Sequence, residues 1–401
     1  MLTLCSKLSE LCYLAMEDEL NSSYQVIDFC CGHPFTHKRS IVEWILEFQS
    51  VGRESKLFSV SSLKKDWQIY ADYWDKNLDS NQLVKVDRVF RKKEYQARIK
   101  GKKALMVFLF PPFSHKSRKI WRRFRSLGYE TAFLGLGPLP IRNSESKNNW
   151  FIQLKNFFKF RFKIFFFTAP DVWITSGDQP YTLYKSALLE KKSARFVHAH
   201  SFDFENIRCQ GFLQADHKTS ENFIVYLDQG FTSHPDQHLN PHGGPLTVEG
   251  VYRPILNFLT QLEKNLDYPL KIAGHPKADR DQTKRIFVNS DIEYGRTLEL
   301  ISDARVVVCH SSTAIQWAVL MNKPIIIVST AQLEKTKLNS KARGIAQALN
   351  LEVVDVNSHA LFERIVEPTY DSEAYKRYVR DFIKSDRSLD IPLKEILISN
   401  L

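Results

Sequence analysis

The sequence predicts an α/β protein built from two domains of alternating strands and helices. Three observations predict it. Short apolar runs suited to strands buried on both faces recur along the chain, among them residues 104–110, Val306–Cys309 and residues 325–328. Stretches with helical spacing lie between them, so strand and helix signals alternate through both halves, the pattern of βαβ units around parallel sheets. The 401 residues suffice for two domains of roughly 100–200 residues each.

Composition is that of an ordinary globular chain, 43% hydrophobic and 25% charged, with no low-complexity tract or internal repeat. The net charge of +11 suits nucleic acid, an anionic membrane, or acidic sugars and nucleotides. No RNP, zinc-finger or homeodomain pattern accompanies it, so nucleic acid is not expected as a partner. Six cysteines, at 5, 12, 30, 31, 209 and 309, are too sparse for a disulfide framework and read as reduced thiols. Glu10, Glu17, Asp18 and Glu19 interrupt any signal-peptide core. No run reaches the roughly 18–20 apolar residues needed to span a bilayer. The expected place is the cytoplasm, with peripheral contact at the inner membrane.

Residues 1–100 read either as a mostly helical N-terminal extension or as the opening of the first domain. Residues 24–29 suit a strand, residues 36–48 a helix, and His33-Pro34 lies between them. Residues 64–98 read as helical and highly charged, with Trp67, Tyr70, Tyr73 and Trp74 at helical spacing. Residues 104–110 are a buried strand ended by Pro111-Pro112. A basic helix follows over 116–126, then Gly128 and a strand over 131–136. Residues 150–167 carry Phe151, Leu154, Phe158, Phe162 and Phe165 on one helical stripe and Lys155, Lys159 and Lys163 on another. Such a helix suits an anionic membrane interface or a core with a solvated basic side. Part of it alternates as a strand would.

Residues 170–175 form the next strand and run into Ser176, Gly177 and Asp178. Residues 194–198 form another, followed by Asp203 and Glu205. Both loops lie on one edge of a parallel sheet, where open α/β folds place ligands. Their carboxylates suit a general base and equally a turn or helix cap. The linker is expected over 210–222, which gives an N-terminal domain over 101–217 and a C-terminal domain over 218–401. A strand over 223–227 leads to Asp228, Gln229 and Gly230. The loop with His238, Asn240 and His242 offers no carboxylate or cysteine at ligand spacing, so no metal is expected.

An amphipathic helix over 255–266 precedes the strand that ends in Gly274, His275, Pro276 and Lys277. Glu299 falls on a helix over 297–302. Val306–Cys309 is followed by His310, Ser311, Ser312 and Thr313. The apolar helix of Ala314, Ile315, Trp317, Ala318 and Leu320 comes next, stopped by Asn322 and Pro324 before the strand over 325–328. Hydroxyls at a strand end and a helix start suit a phosphate; plain helix capping competes. His275-Pro276 follows a strand about one βα unit upstream, so both turns open on one crevice. Residues 331–349 read as helix, 351–356 as strand and 359–386 as terminal helices.

His-Pro followed 36 residues later by Ser-Ser-Thr resembles bacterial CMP-sugar glycosyltransferases of surface-polysaccharide biosynthesis, the sialyltransferase and polysialyltransferase type. The resemblance covers mainly residues 220–330. It implies a GT-B fold, two Rossmann-like domains facing a cleft. It also implies transfer of an acidic sugar, sialic acid-like or Kdo-like, from a CMP-sugar to a glycan or glycolipid acceptor of capsule or lipopolysaccharide. On it, His275 binds the CMP phosphate, with Pro276, Ser311, Ser312 and Thr313 around it and Lys277 adding charge. Glu299 binds the ribose, with Glu293 competing. Asp228-Gln229-Gly230 resembles a relaxed acidic-acidic-Gly motif whose acidic residue is the base. It departs in having Gln229 and in lying only 47 residues before His275, so Asp178 and Asp203 stand beside Asp228 as candidate bases. No cofactor or metal is implied beyond the donor itself. No GxGxxG or GxxxxGK[ST] loop is present, against dinucleotide enzymes and P-loop NTPases. A UDP-sugar transferase, a CDP-polyol phosphotransferase and a non-catalytic polysaccharide-assembly protein are the alternatives.

Overall fold

The computed structural model describes residues 24–31, 44–46, 48–59, 83–85, 92–109, 115–140, 169–179, 194–212, 222–233, 246–276, 278–357 and 368–401. The segment 150–167, His33-Pro34, Lys277, the His238–His242 loop and most of the expected linker lie outside them.

The apolar runs form two parallel sheets. The first takes β1 (Val26–Cys31), β2 (Leu57–Ser59), β3 (Leu83–Lys85), β4 (Ala104–Phe108), β5 (Glu130–Gly135), β6 (Val172–Ser176) and β7 (Arg195–Ala199). Their order is β3-β2-β1-β4-β5-β6-β7, every neighbouring pair parallel. All five residues of β4 are buried, because successive side chains point to opposite faces and both faces are covered. Ala104, Met106 and Phe108 join Trp121 and Phe124 of helix α2 (His115–Ser126), beyond helix α1 (Lys92–Ile99). The Trp121 ring stacks on Phe108 at 4.2 Å. Leu105 and Val107 face the opposite core with Ile27, Phe29, Trp44 and Phe48.

The described part of the first hundred residues therefore opens the first domain, supplying β1, β2 and β3. The helix expected over 64–98 is corrected there: residues 83–85 are a strand, and only residues 92–99 are described as helix. Buried Asp28 of β1 knits this region. Arg98 of α1 donates to both its oxygens, and the Tyr129 hydroxyl (2.7 Å) and the Lys56 N–H (2.9 Å) complete its shell.

The second sheet takes β8 (Ile224–Leu227), β9 (Leu270–Gly274), β10 (Asp291–Tyr294), β11 (Val306–Cys309), β12 (Ile325–Ser329) and β13 (Val353–Asp355). The order is β10-β9-β8-β11-β12-β13, again parallel throughout. One face packs on α4 (Arg253–Leu266) through Ile255, Phe258, Leu259 and Leu262. Near the other lie α6 (Thr297–Asp303), α7 (Ile315–Leu320), α8 (Lys337–Ala348) and α9 (Ser372–Tyr378). α5 (Arg280–Ile286) joins β9 to β10. Both sheets reverse their order once, between β1 and β4 and between β8 and β11. Such switch points are where open α/β sheets hold ligands.

Two connections run between the sheets. The first passes through residues 213–221, outside the described residues. The second returns after Ile383 and ends in α10 (Leu393–Asn400), which the sequence reading missed. Leu393, Ile396 and Leu397 belong to the first core, and Leu401 O accepts from Tyr24 N at 2.9 Å. Helix α3 (Phe202–Cys209), capped by Ser201, follows β7 and meets α7 of the other domain. No described helix is long and apolar enough to cross a membrane.

Candidate functional site

β8 and β11 pair in register, Tyr226 opposite Val308, so the loops after them emerge side by side at the switch point. Asp228 stands at the start of the first loop. It is 4% exposed. Its Oδ1 accepts from the Gly230 N–H at 3.0 Å and from the Tyr252 hydroxyl at 2.8 Å. Burial pushes its carboxyl up; the Gly230 N–H, the Tyr252 hydroxyl and the Gln229 and His275 N–H groups pull the other way. Tyr252 belongs to a π-helical turn, Val248–Tyr252, that leads into α4, and its oxygen also accepts from Phe231 N at 2.9 Å. Asp228 thus ties the β8 loop to the β9 loop and to α4.

Gln229 ties the same loop to the β11 loop. Its Oε1 accepts from the Ser311 N–H at 2.8 Å and its Nε2 donates to Ser311 Oγ at 3.2 Å. The hydroxyl loop does not cap α7: that helix begins at Ile315, after Ala314, with no side-chain cap. Ser312 Oγ accepts from Ala314 N at 3.3 Å inside the preceding turn. Thr313 is exposed. With six residues, α7 has little dipole to offer an anion, so any anion here would rest on hydroxyls and turn N–H groups. His310 is fully buried against Phe231. Val328 O, an acceptor only, lies 2.7 Å from its Nδ1, which fixes the proton there and leaves Nε2 as an acceptor. Burial lowers its pKa to about 4, so the ring is neutral.

His275 follows β9, on the other side of β8, and is part-exposed beside exposed Pro276. Gly274 is required before it: a Cβ there would lie 2.4 Å from the Tyr294 ring of β10, whose face carries the Arg280 guanidinium at 4.6 Å. Glu299 sits part-buried in the first turn of α6. Glu293, its rival, is on edge strand β10 and pairs with Arg296 at 2.6 Å.

The rim of the first sheet carries the remaining carboxylates. Asp178, after β6, is part-buried and 3.8 Å from Arg387. Glu205 is spent on structure. It receives His200 Nε2 at 2.7 Å, Arg208 at 2.8 and 3.0 Å and Leu393 N at 3.2 Å, and these donors hold its carboxyl far below the usual range against the push of burial. Asp203, in the first turn of α3, has no such donors among the described residues, and burial pushes it up to about 7. Its backbone oxygen accepts from Trp317 Nε1 of α7 at 3.0 Å. A Cβ on Gly137, at φ +70°, would lie 3.8 Å from Ser201 Cβ, 3.9 Å from Gln316 Nε2 and 4.0 Å from Asp203 Oδ2, so these three side chains converge there from both domains. Gln316 is fully buried, with neither amide atom hydrogen-bonded among the described residues.

The fold thus brings Asp228, His275 and the 311–313 loop together on one rim, and Asp178 and Asp203 on the other. Sequence reasoning missed Tyr252, Gln316 and the role of Gln229. The one available signal was Gln316, a polar residue in an otherwise apolar helix. Among the described residues no three His, Cys, Asp or Glu side chains gather as metal ligands would.

No protein-family model and no curated protein sequence matches the chain. Solved structures do resemble it. The wall teichoic acid polymerase TagF superposes with a TM-score of 0.50 at 13% identity, over 95% of this chain and 89% of that one. The chain has the GT-B fold. MurG of Acinetobacter baumannii gives 0.45 at 9% identity over 94% of each chain. The UDP-GlcNAc 2-epimerase of Methanocaldococcus jannaschii gives 0.42 at 10%, over 88% of this chain and 98% of that one.

Proposed function

We propose that the protein is a glycosyltransferase that moves an acidic sugar, sialic acid-like or Kdo-like, from a CMP-sugar to a cell-surface glycan or glycolipid. The observation that carries this reading is the rim of the second sheet. The 311–313 hydroxyl loop is not spent on capping α7, and His275 ends the strand on the far side of β8, two strand spacings or roughly 10 Å away. A nucleotide phosphate fits between. His275 would hydrogen-bond the CMP phosphate, and Ser311, Ser312 and Thr313 would cradle it, stabilising charge as the glycosidic bond to the donor breaks. Pro276 and Lys277 would flank the phosphate and Glu299 the ribose.

Asp203 is the best-suited base. A carboxyl that titrates near neutrality takes a proton from an acceptor hydroxyl most effectively, and Asp203 stands on the opposite rim, where the acceptor would enter. Asp228 is buried in a backbone-holding role, and Asp178 lies 3.8 Å from the Arg387 guanidinium. In this reading the first domain binds the acceptor and the second the donor. The basic aromatic segment 150–167 would hold the enzyme at an anionic membrane carrying a lipid-linked acceptor.

The TagF-like fold supports a second donor, a CDP-polyol. Transfer of the polyol phosphate also releases CMP, so the same His275 and hydroxyl loop would serve. Thermal shift with CMP, CDP, UDP and GDP tests the site. A ligand at 100 times its dissociation constant adds about 2.7 kcal/mol, and stabilisation by CMP that disappears in His275→Ala is expected. CMP release from CMP-sialic acid, CMP-Kdo and CDP-glycerol then separates the donors. Preference for UDP would overturn the cytidine reading.

A further inference from the structure

Gln229 stands where the resembling motif carries a second acidic residue, and its geometry gives a reason. The Ser311 N–H can only donate, so the amide atom 2.8 Å from it must be oxygen. The other arm, 3.2 Å from Ser311 Oγ, is then the NH2 group, which also can only donate. Ser311 Oγ therefore accepts from Gln229. Its own O–H has no acceptor among the described residues, and a hydroxyl in that state has one proton to give. Ser311 is 5% exposed, Gln229 is part-exposed, and both lie at the β8/β11 switch point. A carboxylate at position 229 would reverse the arrangement, since it would take the Ser311 proton itself.

We propose that Gln229 is a positioning residue that fixes the Ser311 backbone and, by occupying a lone pair of Ser311 Oγ, commits the Ser311 proton to the phosphate of a bound nucleotide. This rests on the anion site of the proposed function, and it adds a donor whose direction is set by the β8 loop. Glutamine there serves phosphate binding by a group that never touches the phosphate.

The test is a double-mutant cycle on the full chain, read by calorimetric titration with CMP, cytidine, UMP and uridine. The variants are Gln229→Glu, Gln229→Met, Ser311→Ala and the two doubles, each checked by thermal melting. Gln229→Glu is expected to weaken CMP binding at least tenfold with cytidine binding unchanged. Ser311→Ala is expected to do the same, and adding Gln229→Glu to it to cost little more. Gln229→Met, which carries no new charge but also loses the acceptor for the Ser311 N–H, is expected to cost less in the Ser311→Ala background than in the wild type, and stands in should the glutamate variant fail to fold. Full additivity in the cycle would mean that the glutamate acts by repulsion alone, and would overturn the proposal. Equal losses for nucleoside and nucleotide would also overturn it, as would a wild-type protein that binds phosphorylated and unphosphorylated forms alike. A wild-type preference for UMP would remove the cytidine reading but leave the cycle, run with UMP, as the test of Gln229.

Discussion

The carboxyl rims of the two sheets meet at the same interface but are held by different partners. On the second sheet, Asp228, Gln229 and His310 all find their partners inside their own domain, in Tyr252, Ser311 and Val328. On the first sheet, the rim leans on the other domain. Ser176 Oγ donates to Phe382 O at 3.2 Å, Ser201 N to Ile383 O at 2.8 Å, and Asp203 O accepts from Trp317. The loops after β8 and β11 are thus held within their own domain, whereas the surroundings of Asp203 are complete only where the domains touch. Asp28, fully buried, and Asp203, part-buried, show what that means chemically. Asp28 is closed by Arg98 and Tyr129, while the Asp203 carboxyl has no hydrogen-bonded partner among the described residues and is able to titrate.

The sharpest way to break this contrast is Asp203→Asn. Turnover should fall about 10²–10⁴-fold, the range of a general base, with CMP binding unchanged; a matching loss of CMP affinity would erase the division between the rims. His275→Ala comes next, with a loss in turnover of about 10²–10³-fold and, unlike Asp203→Asn, a loss of CMP affinity measured by titration.

Two pH effects of opposite sign follow. Asp203 has its folded pKa raised from 3.8 to about 7, so the folded state holds the proton longer than the unfolded one. Its contribution to stability is therefore lost as pH rises from about 4 to 7, while its proposed role as base predicts that turnover climbs through about pH 7. His310 has its pKa lowered from 6.5 to about 4. The unfolded chain takes up that proton first, so stability falls as pH drops from 6.5 towards 4, by roughly 3 kcal/mol. Denaturant melts of Asp203→Asn and His310→Gln across pH 4–8 separate the two, each variant flattening its own window. The smallest effect belongs to Gln316→Leu. Removing an amide buried without partners should stabilise the fold by about 1–2 kcal/mol, read from the urea midpoint, and destabilisation would mean that the amide is engaged at the domain contact.

Much of this was legible. β4, β6, β8, β11 and β12 declare themselves because a strand covered on both faces must be apolar along its length. β2, β3 and β10 do not; they are short, lie at or beside a sheet edge, and a run such as Asp291-Ile292-Glu293-Tyr294 is half polar. His275 and the Ser311–Thr313 loop were readable as motifs. The work of Gln229 was not, because it depends on the register of β8 against β11. The burial of Asp228 was hidden too, since it depends on Tyr252, 24 residues away. α10 escaped because eight residues of mixed character reveal nothing about a core assembled from residues before 210.

That helix sets an order of events during translation. The ribosome delivers β1 to β7 early, yet Leu393, Ile396 and Leu397, which finish the apolar layer beneath them, emerge only after the whole second domain has been made. The first domain must therefore wait, part-covered, while the second folds. A stall or cleavage between residues 384 and 392 would release a chain whose second domain is whole and whose first still shows an apolar face, the kind of surface that chaperones hold and proteases find.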